Sequence, residues 1–259
     1  METEMTELYE NPKYYEIAFA WRDIISETDL FEKCIEKYSD IPVNSVLEIC
    51  CGNSPHMEEL VRRGYRYTGL DLSRAMLDYS TERATRNGIE AKFIHANMVD
   101  FEISIKYDFA FIMLGSFFAT STVEVYSHFK SVARTLKKGG LYLLDWCVQF
   151  EPPWQTKGAS SWDMERDGIR VKTTVEWVPI KLARQTFRET IILDVEENGR
   201  KFEIKGTNVH RAIYPQEFLR MMESSPDFEF VGWWNNWNLE QSLDFVDRIS
   251  RPIILIKRK

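Results

Sequence analysis

Apolar residues along the first 150 positions come in short runs separated by amphipathic stretches. Val46, Leu47 and Ile49 form one run, Tyr67 to Leu70 another, and Phe109 to Leu114 a third. Runs of this length suit strands buried on both faces. The pattern predicts strands near 45–50, 66–70, 91–95, 107–113 and 140–146, with helices near 56–63, 73–87 and 122–137. Helical spacing also covers 12–38, and Leu136-Lys137-Lys138-Gly139-Gly140 reads as a helix stop. Regular strand–helix alternation implies a parallel sheet. After Pro152-Pro153 the period changes to two. Segments 168–177, 185–195 and 201–213 read as long antiparallel strands, with Asn198-Gly199 at a hairpin turn. Pro215 opens a helix. Segments 228–234 and 252–257 read as a closing antiparallel hairpin that returns to the main sheet. The predicted organisation is an N-terminal helical cap (1–40), a main domain (41–150 and 214–259), and an antiparallel β insertion after the fifth strand (151–213) that serves as an acceptor lid or dimer element.

The polar residues that interrupt the apolar runs carry the chemistry. Glu48 sits near the end of the first strand, where a charge needs a partner. Gly52 permits a tight turn and close backbone approach by a ligand. Asp71 ends the second strand about twenty residues later, where an acid can accept hydrogen bonds from a ribose. A nicotinamide dehydrogenase would seat a pyrophosphate on G-x-G-x-x-G, but Cys50, Gly52 and Pro55 hold those positions. Pro55 offers no N–H, and Glu48 would repel a pyrophosphate while pairing with an ammonium. This charge logic favours S-adenosylmethionine, a nucleoside with an amino-acid end and no phosphate.

The segments VLEICCGNSPH, YTGLDLSRAMLDYS, AKFIHANMVDF, YDFAFIMLGSFF and TLKKGGLYLLD occur in the order and spacing of the class I S-adenosylmethionine-dependent methyltransferases, and the chain resembles the small-molecule type. NPKYYEIAFAWRD resembles that family's lead-in helix. The resemblance implies an α/β, doubly wound, Rossmann-like, mostly parallel seven-stranded sheet. It implies Glu48 at the cofactor's amino group, Cys51, Gly52 and Asn53 along its amino-acid and ribose portion, and Asp71 at the ribose hydroxyls. Leu72, Asn97 and Met98 fall beside the adenine, Leu114 and Ser116 beside the reacting methyl, and Tyr15 and Met76 complete the cofactor set. The family's loop is often G-C-G-T-G; here it reads Cys50-Cys51-Gly52-Asn53-Ser54, two glycines short.

The 259 residues are 44% hydrophobic and 28% charged, as in a globular protein, with a formal net charge of −7. Apart from Lys257-Arg258-Lys259 there is no basic block, which disfavours a nucleic-acid acceptor. No apolar leader opens the sequence and no run reaches membrane-spanning length, so a cytoplasmic protein without a membrane partner is expected. Cys34, Cys50, Cys51 and Cys147 and the four histidines lack metal-ligand spacing, so no metal is expected. His210, in the inserted strands, is the candidate general base, and mid-helix His128 reads as exposed. Tyr14, Arg22, Phe117, Arg211 and Trp233 are candidate acceptor contacts. The function expected is methyl transfer from S-adenosylmethionine to a nitrogen or oxygen of a small molecule, leaving S-adenosylhomocysteine, by a monomer or homodimer. A non-catalytic S-adenosylmethionine-binding protein and a nicotinamide oxidoreductase are the alternatives.

Overall fold

A computed structural model describes residues 7–155 and 160–259; positions 1–6 of the cap and 156–159 of the insertion lie outside the described residues. Eleven strands in two sheets and six α-helices make up the described chain. The main sheet contains β1 (Ser45–Ile49), β2 (Arg66–Asp71), β3 (Ala91–His95), β4 (Tyr107–Ile112), β5 (Leu136–Asp145), β10 (Phe228–Asn235) and β11 (Pro252–Arg258). Its order is β10-β11-β5-β4-β1-β2-β3, with β11 antiparallel to both neighbours and β1 through β5 parallel. The chain leaves β1 in opposite directions through β2 and β4. Their carboxyl ends therefore part at a switch point, the usual place for a ligand in such sheets.

The apolar runs explain the layering. β1 and β4 are buried along their whole length. Their side chains alternate between two core faces. Val46, Phe109 and Phe111 pack against Leu30, Phe31, Met57 and Leu60 of α2 (Ile24–Tyr38) and α3 (Met57–Arg62). Leu47, Ile49 and Ala110 face Val125 and Phe129 of α5 (Thr122–Thr135) and Phe218 of α6 (Pro215–Glu223). α4 (Arg74–Arg86) follows β2 and is capped by Ser73, whose side chain accepts the Met76 N–H.

The second sheet, β6-β7-β8-β9, is wholly antiparallel. The alternation at 168–177 becomes β7 (Ile169–Lys181), with Ile169, Val171 and Val175 inward and Arg170, Lys172 and Glu176 outward. β8 (Thr186–Glu197) and β9 (Arg200–Arg211) meet at Asn198-Gly199, both at positive φ (50° and 75°) as the hairpin turn requires. The inner face packs on Leu8, Ile17 and Ala18, from the turn Glu7–Glu10 and from α1 (Pro12–Ala18).

Two local readings differ from the structure. A fourth inserted strand, β6 (Ser160–Arg166), is mostly polar because it is an exposed edge. The Lys-Lys-Gly-Gly segment joins β5 instead of ending a helix: α5 stops at Thr135, and the sheet register shifts between Tyr107 and Phe109 to absorb the extra residues. No described helix is long and apolar enough to cross a membrane.

Candidate active site

The loops that leave β1 and β4 converge under the N-terminal segment, where a cavity of about 250 Å³ opens. Glu48, Cys51, Gly52, Asn53, Leu114 and Ser116 line it from the sheet, and Tyr15, Phe19 and Arg22 from above. A side chain at Gly52 (φ 51°) would meet nothing within 4 Å, so the backbone there presents an open cradle. The two family glycine positions that this chain fills otherwise keep left-handed backbone: Cys50 at φ 54° and Ser54 at φ 51°. Each costs about 1–2 kcal/mol for a side-chain-bearing residue. The loop shape is thus retained at an energetic cost. Burial first, and then nearby Asp71, push the Cys50 and Cys51 thiols well above their ordinary range. Neither is a thiolate at neutral pH.

Asp71 holds the loop in place. Its two carboxylate oxygens accept the Gly52 and Ser73 N–H groups, each at 2.8 Å. Burial raises its pKa, and the backbone N–H bonds oppose the rise. Glu48 is buried and held at both oxygens: His56 Nδ1 lies 2.8 Å from one, and the Tyr67 hydroxyl donates to the other at 2.5 Å.

The remaining expected cofactor residues lie outside the cavity. Leu72 is half-exposed at the end of β2, and its carbonyl meets His95 Nε2 at 2.8 Å. Asn97 is exposed, and its side chain accepts the Val99 N–H. Met98 and Met76 are buried. Leu72 and Asn97 are therefore exposed positions outside the cavity, which the loops after β1 and β4 and the N-terminal segment line.

Several expected acceptor contacts are committed elsewhere. Trp233 is a core residue between Phe150 and Phe230, and its indole N–H donates to Asp244. Phe117 is buried against His128 and Phe129. Arg211 pairs with Glu217 and joins the second sheet to α6. The Tyr14 hydroxyl donates to Glu197, at the end of β8, at 2.6 Å. Arg22 lines the cavity, but its guanidinium bonds Glu27 at 2.5 Å. His128 is buried, not exposed. Its ring nitrogens contact the Met98 carbonyl and the Tyr142 hydroxyl, and burial pushes it down to about 4.

His210 is also buried, stacked on Phe187 at 4.9 Å, and outside the cavity lining. Its Nε2 faces the Glu189 carboxylate at 3.4 Å. Glu189, on β8, accepts the Trp177 indole N–H at 3.0 Å. Burial raises its pKa, but His210, Trp177 and Asn208 outweigh this and hold it below its ordinary value. The Tyr15 hydroxyl feels both carboxylates: burial first, then Asp71 and Glu189 against Arg22, push it well up. Tyr9 lies in the same field, with its hydroxyl accepting from the Asn208 amide. The second sheet thus contributes an ionised carboxylate toward the end of the main sheet that carries the cavity. Glu189, Glu27 and Arg251 escape the motif pattern because they come from elements distant in sequence, while His56 lies within the motif and only its contact to Glu27 marks it.

The comparisons bear directly on this arrangement. Residues 46–140 match a methyltransferase domain family. The matched stretch, from β1 into β5, is thus similar to a methyltransferase domain. A candidate methyltransferase of Geobacillus sp. (strain WCH70) is 26% identical over 127 residues, 49% of this chain and 49% of that protein. The match thus spans about half the length of this curated relative. Among solved structures, a S-adenosylmethionine-dependent methyltransferase from Clostridium acetobutylicum superposes with TM-score 0.75 at 17% identity, covering 94% of this chain and 95% of the other. The sugar N-methyltransferase KedS8 from Streptoalloteichus gives TM-score 0.70 at 18% identity, over 92% and 89% of the two chains. The amino pentose methyltransferase CalS10 from Micromonospora echinaspora gives 0.69 at 15%, over 95% and 96%. At these identities the structural likeness establishes the fold, with the antiparallel insertion included in the matched length.

The residues around the cavity fit the nucleoside that the sequence resemblance implies. The cavity wall offers Glu48 to an ammonium, and Asp71 stands beside the loop for a diol; Glu16 and Glu58 at the cavity are paired with Arg83 and Arg166. α3 begins only at Met57 and, at six residues, is too short to replace the missing glycine-rich seat.

Proposed function

We propose that the protein transfers a methyl group from S-adenosylmethionine to an amine nitrogen of a small-molecule acceptor held at the main-sheet cavity, on the side of Tyr15 that faces Glu189 of the antiparallel sheet. Glu189 carries this reading. It is an ionised carboxylate on a mostly apolar face that also carries Asn208 and His210, and its charge acts on Tyr15 of the cavity wall. A carboxylate there attracts a cationic amine and orients its nitrogen; His210, 3.4 Å from it, is positioned to take up the proton that the amine must lose before attack. His210 then acts through Glu189 rather than on the acceptor itself. The cofactor, when bound, supplies an already activated methyl sulfonium. The protein's part is alignment and exclusion of water, effects worth up to roughly 7–11 kcal/mol. Glu48 and the loop Cys51–Asn53 would hold the amino-acid end, Asp71 the ribose, and Leu72 with Asn97 the adenine. Tyr15 and Phe19 close the cavity from above. Solved relatives of the same fold include enzymes named for amino-sugar methylation, which agrees with an amine acceptor.

The experiment is a mass-spectrometric screen of primary and secondary amines, including amino sugars, against matched alcohols, with S-adenosylhomocysteine release as the readout. Methylated amines and untouched alcohols support the proposal. Methylated alcohols alone would overturn the assignment to nitrogen, and cofactor binding with no product from any class would favour a binding protein.

A further inference from the structure

Behind the cavity, six ionisable side chains form one buried chain of contacts. Glu48 Oε1 meets His56 Nδ1 at 2.8 Å, and His56 Nε2 meets Glu27 Oε2 at 2.9 Å. Glu27 is also bound by Arg22 at 2.5 Å and by Arg251 at 3.3 Å. Arg251 grips Asp145 through two nitrogens, at 2.9 and 2.6 Å. Asp145 accepts the N–H of Leu114, in the cavity-lining loop after β4, at 2.9 Å. The chain therefore runs from the loop after β1 to the loop after β4.

The centre of this chain constrains its protonation. A neutral imidazole has one N–H and one acceptor nitrogen. Here both ring nitrogens lie within hydrogen-bond distance of a carboxylate oxygen, so a neutral ring would set one lone pair against a carboxylate. The imidazolium donates to both. It also balances the charge: Glu27, Glu48 and Asp145 against Arg22, Arg251 and His56. Other groups face the ring as well. Arg22 Nη2 is 3.2 Å from Nε2, where it could donate to a neutral ring, but it already donates to Glu27 at 2.5 Å; Tyr67 reaches the ring through Glu48, and Phe31 and Phe111 enclose it. Burial and Arg22 act against the charged ring, but the two glutamates outweigh them and raise the His56 pKa.

We propose that His56 is a positioning residue, held as an imidazolium between Glu27 and Glu48, which fixes the Glu48 carboxylate at the cavity wall to receive the cofactor's ammonium group. This rests on the cofactor placement proposed above. With His56 spanning the two acids, one oxygen of Glu48 is fixed by the ring and the other by Tyr67. The free lone pairs of that carboxylate are then turned toward the cavity and do not rotate. Arg251 acts at a distance, by keeping Glu27 in place for His56.

The test has two parts. Nitrogen-detected NMR of the histidine rings in the wild-type protein without added nucleoside should show both His56 nitrogens protonated at pH 7. A neutral His56 ring at pH 7 would overturn the proposal whatever the protein binds. Calorimetry on His56→Gln, with His56→Asn as a second variant if the first does not fold, then compares two probes: S-adenosylhomocysteine, and 5′-methylthioadenosine, the same nucleoside without the amino-acid end. The expected result is at least a tenfold loss for S-adenosylhomocysteine and less than a twofold change for 5′-methylthioadenosine. Equal losses for both would mean a structural role only, and no loss for either would also overturn the positioning role. If the wild type binds neither probe, the cofactor placement fails, and the NMR result still decides the state of His56.

Discussion

Asp71→Asn separates what the second-strand acid does for the fold from what it does for the ligand. In the structure the carboxylate is enclosed and its pKa is raised, first by burial and next by Glu48, against three backbone N–H groups that favour the charge. A folded pKa above the unfolded value means that ionised Asp71 weakens the fold near neutral pH, and that stability is regained as pH falls through the folded pKa toward 3.8. Removing the charge returns that cost. Asparagine keeps one acceptor oxygen, so either the Gly52 or the Ser73 N–H loses its partner, a penalty of about 1–3 kcal/mol for a buried donor and less where water reaches it. The two effects oppose, so the melting temperature should fall by less than the lost hydrogen bond alone would take, at roughly 2–4 °C per kcal/mol for a chain of this size. The ligand has no such offset. A charge-assisted hydrogen bond to a ribose hydroxyl is worth about 1.5–3 kcal/mol, so affinity for S-adenosylhomocysteine should fall roughly 10- to 150-fold. Calorimetric titration alongside thermal melting reads both numbers. A folded variant that binds S-adenosylhomocysteine within twofold of wild type would refute the ribose assignment.

Other perturbations probe other parts of the molecule. Glu189→Gln should slow methyl transfer by roughly a hundredfold or more with S-adenosylhomocysteine affinity unchanged, read from initial rates at saturating cofactor; an unaltered rate would remove Glu189 from the acceptor site. His128 is buried and neutral, and its pKa is lowered to about 4. Its contribution is therefore complete above the unfolded value near 6.5 and is lost as pH falls toward 4, by about 3 kcal/mol in total. A melting temperature flat between pH 6.5 and 4.5 would contradict this. Gly115→Ala places a side chain at φ 67° with its Cβ 3.2 Å from the Trp146 carbonyl oxygen, so a stability loss of about 1–3 kcal/mol is expected in denaturant unfolding. An unchanged midpoint would show that this turn relaxes freely.

Elements driven by local patterning are legible in the sequence. The buried runs of β1 and β4, the period-two alternation of β7 and the Asn198-Gly199 turn all appear where the sequence puts them, because burial on two faces, on one face, or at positive φ each leaves a local mark. β6 left none, since an exposed edge strand of Ser, Asp, Glu and Arg looks like a loop. In the candidate site, the motif residues around Gly52 and Leu114 do converge. What single positions could not reveal was which side chains were already spoken for. Trp233, Arg211 and Tyr14 looked available by type, yet each has a partner brought in by tertiary packing: Asp244, Glu217 and Glu197. His56, by contrast, sat inside the quoted motif, and only its distance to Glu27, twenty-nine residues earlier, revealed its place in the network.

The altered glycine loop can now be weighed as a matter of energy. Two side chains at left-handed φ cost together about 2–4 kcal/mol relative to glycine, before the entropy that glycine would itself lose on folding. A loop free to choose would relax into an ordinary conformation and abandon the cradle. It does not, because its surroundings over-determine it: Asp71 accepts the Gly52 N–H, the Cys51 N–H bonds the Leu70 carbonyl, and the Arg83 guanidinium donates to the Ser54 carbonyl. Strain of that kind persists where surrounding contacts hold it and is concentrated at functional sites. The departure from the family's glycines thus changes the energetic cost of the loop while leaving its shape, which argues against the closed pocket that those substitutions could have produced.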